Sequence, residues 1–226
     1  MPNRLLLLGH RGARATQSLR ENSIASFQRT LEHGCDGFEF DVRRAADGSA
    51  VICHDPVWRS GSAGSRGIEI AGGALAELPG IATLADVFQQ FSSKAYLDIE
   101  LKVGGVERDV VDLIRSYPPR KGFVVSSFLP EVLERLAQEA PEVPLGLICD
   151  TRPQLERWDK VPSKAVIPQF KLVTRELVRK LHDAGKQVLV WTVNESDRMK
   201  ELADWGVDGL ISDETELLAK TFAAAR

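Results

Sequence analysis

The feature that most constrains the fold of this chain is a regular alternation of short apolar runs with segments of helical periodicity. The apolar runs occupy residues 4–9, 37–42, 95–101, 122–128, 145–149, 165–169, 187–193 and 208–212. Helical patterns follow them at residues 22–32, 83–91, 106–115, 130–139, 152–158 (a weak pattern), 174–184, 195–204 and 213–223. Such alternation predicts right-handed β–α–β units around a parallel sheet. Eight pairs predict an α/β fold of the TIM-type (β/α)₈ barrel class, with residues 1–226 as a single domain.

One apolar run, residues 50–54, does not fit the alternation. It follows the second strand after only residues 43–49, which is too short for a parallel crossover of about a dozen residues. Asp47-Gly48 favours a two-residue type I′ turn, so we expect an antiparallel β-hairpin after the second strand. In that register Asp41 lies opposite His54. The glycine-rich stretch that follows predicts a loop insertion, residues 55–94, over the barrel mouth.

Composition excludes several other classes of protein. A hydrophobic share of 43% supports a buried core, which argues against a disordered or fibrous chain. A net charge of −3, without blocks of like charge, argues against a nucleic-acid partner. Cys35, Cys53 and Cys149 form no CxxC pair and are expected to be buried free thiols. No apolar run is long enough for a signal peptide or a membrane span, so we expect a cytoplasmic monomer or homodimer without a membrane anchor.

Carboxylates gather at the predicted carboxyl ends of the strands, where barrels of this type carry their active sites. Glu39 and Asp41 share one strand face, and Glu100 ends the next barrel strand. Three converging carboxylates repel one another unless a cation is present, and oxygen ligands suit Mg²⁺ or Ca²⁺ better than Zn²⁺. From spacing alone, a network of buried salt bridges is an equally good interpretation. Its basic partners would be Arg11, Arg43 and Lys102.

Two histidines favour the metal site over the salt bridges. His10 ends the first strand, and the predicted register brings His54 beside Asp41. Imidazole is the side chain most used for general acid–base catalysis, and each such catalyst contributes typically ~10²–10⁴-fold. Arg11 and Lys102 would place positive charge where a phosphate develops negative charge.

Other residues near the strand ends have structural interpretations. Trp191 either walls a substrate pocket or packs in the core. Asp98 is expected one layer deeper in the barrel, as a structural hydrogen-bonding group. Asn22 is a good N-cap for the first helix. His33 and His182 lie at helix ends, where a cation meets the helix dipole.

Short strings spread along the chain resemble the glycerophosphodiester phosphodiesterase family. The similarity runs from residue 9 to about residue 213 and includes departures such as Ser23, where the family often has Thr. The strings, in chain order, are His10-Arg-Gly12, Glu21-Asn22-Ser23, Glu39-Phe-Asp41-Val42, Asp47-Gly48, His54-Asp55-Pro56, Glu100-Leu-Lys102, Ser126-Ser-Phe128, Val190-Trp-Thr-Val-Asn194 and Asp208-Gly-Leu-Ile-Ser-Asp213.

The resemblance implies a TIM barrel that hydrolyses glycerophosphodiesters to an alcohol and sn-glycerol 3-phosphate. It also implies one divalent metal ion, Mg²⁺ or Ca²⁺, with Mn²⁺ as a third candidate. Carried over by position, the metal ligands are Glu39, Asp41 and Glu100, and the acid–base pair is His10 and His54. The expected substrate-binding residues are Arg11, Lys102, Trp191 and Glu21.

Three alternatives remain at this point. The first is a phosphodiesterase of the same fold that acts on a lysophospholipid or another unusual diester; small soluble diesters are favoured because the segment after His54 offers few apolar residues. The second is a barrel isomerase or lyase, which the acidic loops after the last two strands disfavour. The third is a catalytically silent binding module, which the retained histidines and carboxylates disfavour. The headgroup, the roles of the two histidines, metal ligation by His54 and the choice of water or a substrate hydroxyl as nucleophile stay open.

Overall fold

Eight parallel strands close into a barrel in the computed structural model, which describes residues 4–60 and 66–225. The strands run around the barrel in chain order, and the last pairs with the first. They are β1 (Leu6–His10), β2 (Gly37–Arg44), β6 (Tyr96–Leu101), β7 (Phe123–Ser127), β8 (Leu145–Cys149), β9 (Ala165–Pro168), β10 (Gln187–Val190) and β11 (Gly209–Ser212). The predicted barrel is confirmed.

A helix follows each barrel strand and covers the outside of the barrel. The helices are α1 (Ile24–Glu32), α2 (Leu84–Phe91), α3 (Glu107–Ser116), α4 (Pro130–Glu139), α5 (Arg152–Leu155), α6 (Arg175–Asp183), α7 (Ser196–Asp204) and α8 (Thr215–Thr221). α5 is a single turn, in agreement with the weak pattern at this position. Ser23, Thr83 and Thr174 cap α1, α2 and α6 by accepting an amide hydrogen bond from the third residue of the helix. Within the described ranges, no helix is both long and apolar enough to cross a bilayer.

The alternation of side chains along β2 separates the core from the polar interior of the barrel. Phe38 and Phe40 point outward, where Phe27 of α1 stacks on Phe38 with ring centroids 4.2 Å apart and Phe91 meets Phe38 edge-on at 5.2 Å. A second apolar cluster fills the barrel itself and includes Leu8, Val124, Ile148, Ile167, Leu189 and Ile211. Glu39 lies between the two phenylalanines in the sequence and Asp41 follows the second. Both acidic side chains therefore occupy the opposite face of the strand.

The hairpin after β2 forms, but the predicted register is wrong. β3 (Ala50–Ile52) pairs antiparallel with β2, with Val42 opposite Ile52. The Ala45 amide donates to the Ser49 carbonyl at 2.9 Å, and Gly48 has φ of 93°. The connection is thus a three-residue loop with a left-handed glycine rather than a two-residue type I′ turn. The extra loop residue shifts the pairing of β3 with β2 by one residue.

The shifted ladder places Cys53, not His54, opposite Asp41. The Cys53 amide donates to the Asp41 carbonyl at 3.0 Å. His54 is the first residue beyond this pair, and its side chain leaves the ladder toward the cavity described below.

The segment after the hairpin forms a small outer layer. β4 (Val57–Trp58) pairs with β5 (Ile68–Glu69), and two 3₁₀ turns follow at Ile70–Gly72 and Leu75–Glu77. Their side chains pack with the hairpin in a cluster of Ala45, Val51, Cys53, Trp58, Ile70, Leu78 and Ile81. The range 55–94 expected to be an insertion also contains α2, which is the barrel helix that follows the second strand. Residues 61–65, at the centre of the glycine-rich stretch, lie outside the described residues.

All three cysteines are buried and unbonded to one another, as expected. Burial raises the pKa of the Cys149 thiol to about 12.

We predict that Phe27→Ala lowers the free energy of unfolding by about 3–5 kcal/mol, because it opens a cavity between α1 and β2. Leu217→Ala is the control, since Leu217 is 37% exposed and its loss is expected to cost less than about 0.5 kcal/mol. Urea unfolding followed by circular dichroism measures both. Equal losses in the two variants would show that the aromatic stack does not anchor α1.

Candidate active site

Three carboxylates meet at the carboxyl end of the barrel. Glu39 and Asp41 alternate along β2, and the parallel register sets Glu100 of β6 beside Asp41. One carboxylate oxygen from each residue lies within 4.8 Å of the others, and all three residues are buried. The predicted convergence is therefore present in the structure.

Two cations partly balance this cluster. Lys102 Nζ lies 3.0 Å from Asp41 Oδ1 and 2.5 Å from Glu100 Oε1, and Arg11 Nε lies 3.2 Å from Asp41 Oδ2. Burial opposes ionisation of Asp41, but Lys102 and Arg11 hold its pKa below the usual range. Burial and the neighbouring Asp41 raise the pKa of Glu100 to about 8. Burial, followed by repulsion from Asp41 and Glu100, raises the pKa of Glu39 well above its usual value. The cluster thus holds more carboxylates than its two cations neutralise.

The cluster fits a divalent cation. Glu39 Oε1 is buried and has no hydrogen-bond partner among the described residues, and Asp41 Oδ1 has only its ion pair with Lys102. A buried carboxylate oxygen without a partner is costly, and a metal ion removes that cost. Three carboxylates are the hard oxygen donors that Mg²⁺ and Ca²⁺ bind. The competing salt-bridge interpretation accounts for Asp41 and Glu100 but leaves this Glu39 oxygen unpaired.

Arg43 takes no part in the cluster. Its Nε donates instead to the carbonyl of His54 at 2.8 Å.

Asp98 lies one pair deeper in the barrel than Asp41 and Glu100, opposite Glu39 in the β2–β6 register. Its Oδ1 accepts a hydrogen bond of 2.6 Å from Ser126 Oγ, whereas its Oδ2 is buried and has no hydrogen-bond partner among the described residues. Burial raises the pKa of Asp98 to about 7.

The two ring nitrogens of His10 face two different carboxylates. Its Nδ1 lies 2.8 Å from Asp213 Oδ1, and its Nε2 lies 3.9 Å from Glu39 Oε2. Only 11% of the side chain is exposed. Burial lowers the pKa of His10, and the hydrogen bond to Asp213 opposes that shift in part.

His54 is much more open to solvent. Its side chain is 35% exposed, and its Nδ1 lies 2.8 Å from Asp55 Oδ1, on a side chain that is 65% exposed. Both histidines line the same cavity.

That cavity, of about 370 Å³, brings together most of the residues expected at the site. Trp191 and Phe128 form one wall, with ring centroids 5.6 Å apart, and Trp191 Nε1 donates to the Ile167 carbonyl at 2.9 Å. Trp191 therefore forms part of the cavity wall, and its hydrogen bond to β9 fixes the orientation of its ring. The expected site residues that line the cavity are His10, Arg11, Glu39, His54, Glu100, Lys102 and Trp191.

The loop after β1 supports the cluster from outside. Arg11 and Asn22 both adopt left-handed backbone conformations, with φ of 56° and 54°. The Arg11 amide donates to Glu39 Oε2 at 3.0 Å, and the Asn22 amide donates to the Arg11 carbonyl at 2.9 Å. Asn22 Nδ2 donates to Asp41 Oδ2 at 2.7 Å, and the Asp41 amide donates back to Asn22 Oδ1 at 3.2 Å.

The expected role of Asn22 as the helix N-cap is wrong. Ser23 caps α1, because both polar atoms of the Asn22 side chain are already bonded to Asp41.

Glu21 lies outside the main cavity and faces basic residues. Its Oε1 accepts from Arg11 Nη1 at 3.0 Å, and its Oε2 accepts from Arg14 Nε at 2.5 Å. Together with Asn22 and His54 it lines a neighbouring cavity of about 240 Å³. This geometry favours a supporting role for Glu21, through Arg11, over contact with a substrate in the main cavity.

Sequence reasoning missed Arg14 and assigned no role to Asp213 or Asn194. Arg14 Nη1 donates to Asp213 Oδ1 at 3.1 Å, and Asn194 Nδ2 donates to Asp213 Oδ2 at 2.8 Å. Burial raises the pKa of Asp213, but His10, followed by Asn194 and Arg14, outweighs burial and holds this pKa below its usual range. The position of Asp213 in the sequence could have indicated a place at the site, because this residue directly follows the barrel strand β11.

We predict that Asn22→Gly lowers the free energy of unfolding by about 2–3 kcal/mol, because two hydrogen bonds to buried Asp41 are lost. Asn22→Ala should cost about 1 kcal/mol more, because alanine is strained at positive φ. Urea unfolding of the two variants isolates the backbone contribution in their difference. An alanine variant as stable as the glycine variant would contradict a left-handed backbone at residue 22.

Comparisons with known proteins identify the family and agree with the fold. The sequence profile of the Glycerophosphoryl diester phosphodiesterase family matches residues 10–217. A glycerophosphodiester phosphodiesterase of Caldanaerobacter subterraneus subsp. tengcongensis is 29% identical, over 94% of this chain and 96% of that protein. The solved glycerophosphodiester phosphodiesterase of Thermotoga maritima superposes with a TM-score of 0.81 at 25% identity, covering 96% of this chain and 98% of that one.

A phosphodiesterase of Oleispira antarctica, solved in complex with the product sn-glycerol-3-phosphate, has a TM-score of 0.83 at 22% identity and covers 96% of each chain. At that identity it supports the fold. The family profile extends over most of the sequence, and it follows that the chain belongs to the glycerophosphoryl diester phosphodiesterase family, a family of phosphoric diester hydrolases.

Proposed function

We propose that this protein hydrolyses glycerophosphodiesters to an alcohol and sn-glycerol 3-phosphate, with one divalent metal ion and two histidines. The observation that carries the proposal is the meeting of Glu39, Asp41 and Glu100 within 4.8 Å, at a cavity that both His10 and His54 line. Family membership supports the reaction class. The product bound to the Oleispira antarctica phosphodiesterase supports a small-molecule substrate.

Glu39, Asp41 and Glu100 would hold the metal ion, with Mg²⁺ or Ca²⁺ favoured and Mn²⁺ as a third candidate. When bound, such an ion neutralises phosphate oxygens and polarises the phosphoryl group. Lys102 and Arg11 contribute positive charge at the same end of the barrel, so both would bind the phosphodiester.

His10 and His54 would act as the acid–base pair. One removes the proton from the attacking hydroxyl, which is that of water or of the glycerol moiety; in the second case a cyclic phosphate forms, and water then opens it to glycerol 3-phosphate. The bond between phosphorus and the alcohol oxygen breaks, and the other histidine protonates that oxygen. Trp191 and Phe128 would pack against the carbon atoms of the substrate, since they form the apolar wall of the cavity.

Removal of metal should abolish turnover. We expect chelation with EDTA to stop release of glycerol 3-phosphate from glycerophosphocholine, glycerophosphoethanolamine and glycerophosphoglycerol, and Mg²⁺, Mn²⁺ or Ca²⁺ to restore it. Glu100→Gln should weaken metal binding in calorimetry, because a neutral amide replaces a charged ligand. Hydrolysis that survives chelation would assign the carboxylates to a salt-bridge network. Turnover of a lysophospholipid but of none of these three diesters would show that the substrates are lysophospholipids and not small soluble diesters.

Replacing either histidine should remove catalysis and leave the metal site. We expect His10→Asn and His54→Asn each to lower kcat by about 10²–10⁴ while calorimetric metal affinity is retained. His182→Asn is the matched control, because His182 also pairs with a carboxylate, at 2.9 Å from Asp208, and does not line the cavity. A wild-type kcat in either active-site variant would remove that histidine from the mechanism.

A further inference from the structure

Asp213 makes three side-chain hydrogen bonds at the barrel mouth and has no role in the mechanism above. Its Oδ1 lies 2.8 Å from His10 Nδ1 and 3.1 Å from Arg14 Nη1, and its Oδ2 lies 2.8 Å from Asn194 Nδ2. The side chain is 17% exposed. β11 pairs with β1 in the barrel, and this pairing brings the residue after β11 to the end of β1.

The partners of Asp213 show which atom carries the hydrogen in each bond. The Arg14 guanidinium can only donate. The amide of Asn194 is oriented by its own bonds, since its Oδ1 accepts from the Asp213 amide at 3.0 Å and from Ser212 Oγ at 3.1 Å. Its Nδ2 therefore faces Asp213 as a donor. A carboxylate that is surrounded by donors remains an acceptor, so the hydrogen between Asp213 and His10 must lie on Nδ1 of the imidazole.

A neutral His10 ring with hydrogen on Nδ1 has a free lone pair on Nε2. The Nε2 atom is on the opposite side of the ring from Asp213, 3.9 Å from Glu39 Oε2, and His10 lines the cavity. A proton acceptor therefore faces the proposed metal cluster.

We infer that Asp213 is a positioning residue for His10, which it fixes in the Nδ1–H tautomer so that Nε2 serves as the general base. The catalytic half of this inference rests on the proposed function. His10 Nε2 takes the proton of the attacking hydroxyl, whose oxygen bonds to phosphorus. The bond from phosphorus to the alcohol oxygen breaks, and His54 gives that oxygen its proton.

The environment of His54 supports this division of roles. Its carboxylate partner, Asp55, is 65% exposed, whereas the Asp213 side chain is mostly buried and held by two further donors. Water competes for an exposed pair, so Asp55 fixes the His54 ring less strongly than Asp213 fixes the His10 ring.

The test replaces Asp213 with a side chain of the same shape. In Asp213→Asn, one amide oxygen and one NH₂ group face three donors, and the NH₂ group favours the other tautomer of His10. We expect kcat to fall by about 10²–10⁴ with KM unchanged; the equivalent change in the Ser-His-Asp triad lowers kcat by about 10⁴. Long-range ¹H–¹⁵N spectra of the neutral histidines should show His10 with hydrogen on Nδ1 in the wild type and a shift toward hydrogen on Nε2 in the variant.

The control is Asp208→Asn, which alters the other His–Asp pair, with His182, away from the cavity. It should leave kcat and the His10 tautomer unchanged. His10→Asn assigns the His10 signals among the four histidines. The wild-type spectrum tests the tautomer even if Asp213→Asn fails to fold.

Three results would overturn the inference. They are a wild-type His10 with hydrogen on Nε2, a folded Asp213→Asn with normal kcat, or a loss of kcat without a change of tautomer. The spectra need no substrate, so a wild-type enzyme inactive on every diester but with hydrogen on Nδ1 of His10 would contradict the proposed function and support the positioning role.

Discussion

The structure at the barrel mouth depends on the burial of three carboxylates within a few ångströms of one another. Removing each charge from water costs several kcal/mol in a protein interior. Lys102 and Arg11 offset part of this cost through direct contacts with Asp41. The Arg11 amide offsets a further part by donating to Glu39. The remaining repulsion is what makes the cluster suited to a cation.

The unusual backbone of the loop between β1 and α1 follows from the same constraint. Arg11 and Asn22 take positive φ values, which most residues avoid. In return the loop gives a main-chain donor to Glu39 and a side-chain amide to Asp41. A local conformational cost is thus offset by hydrogen bonds to buried charges, which are the stronger kind.

The sequence predicts the barrel and the polar strand ends because both arise from local periodicity. On β2, for example, alternation alone separates Phe38 and Phe40 from Glu39 and Asp41. The register of the hairpin could not be predicted, because a single residue in the turn decides it. Asp47-Gly48 suits both a two-residue type I′ turn and a three-residue loop with a left-handed glycine. The pairing of His10 with Asp213 was also out of reach, since the two residues are 203 positions apart and meet only through the closure of β11 on β1. Asn22 resembled an N-cap because asparagine can either cap a helix or hydrogen-bond to a buried carboxylate. Only the folded structure shows which of these two roles it takes.

The closure of the barrel by β1 and β11 has a consequence for the biosynthesis of this protein. Among the barrel strands, β1 is synthesised first and carries His10, but its neighbour β11 is synthesised only after the other seven. Under the roles proposed above, a chain that lacks β11 has neither the closed barrel nor Asp213. Hydrolytic competence would therefore arise only once β11 has been synthesised and has closed the barrel, and chains that stop before β11 would carry the carboxylates without the oriented base.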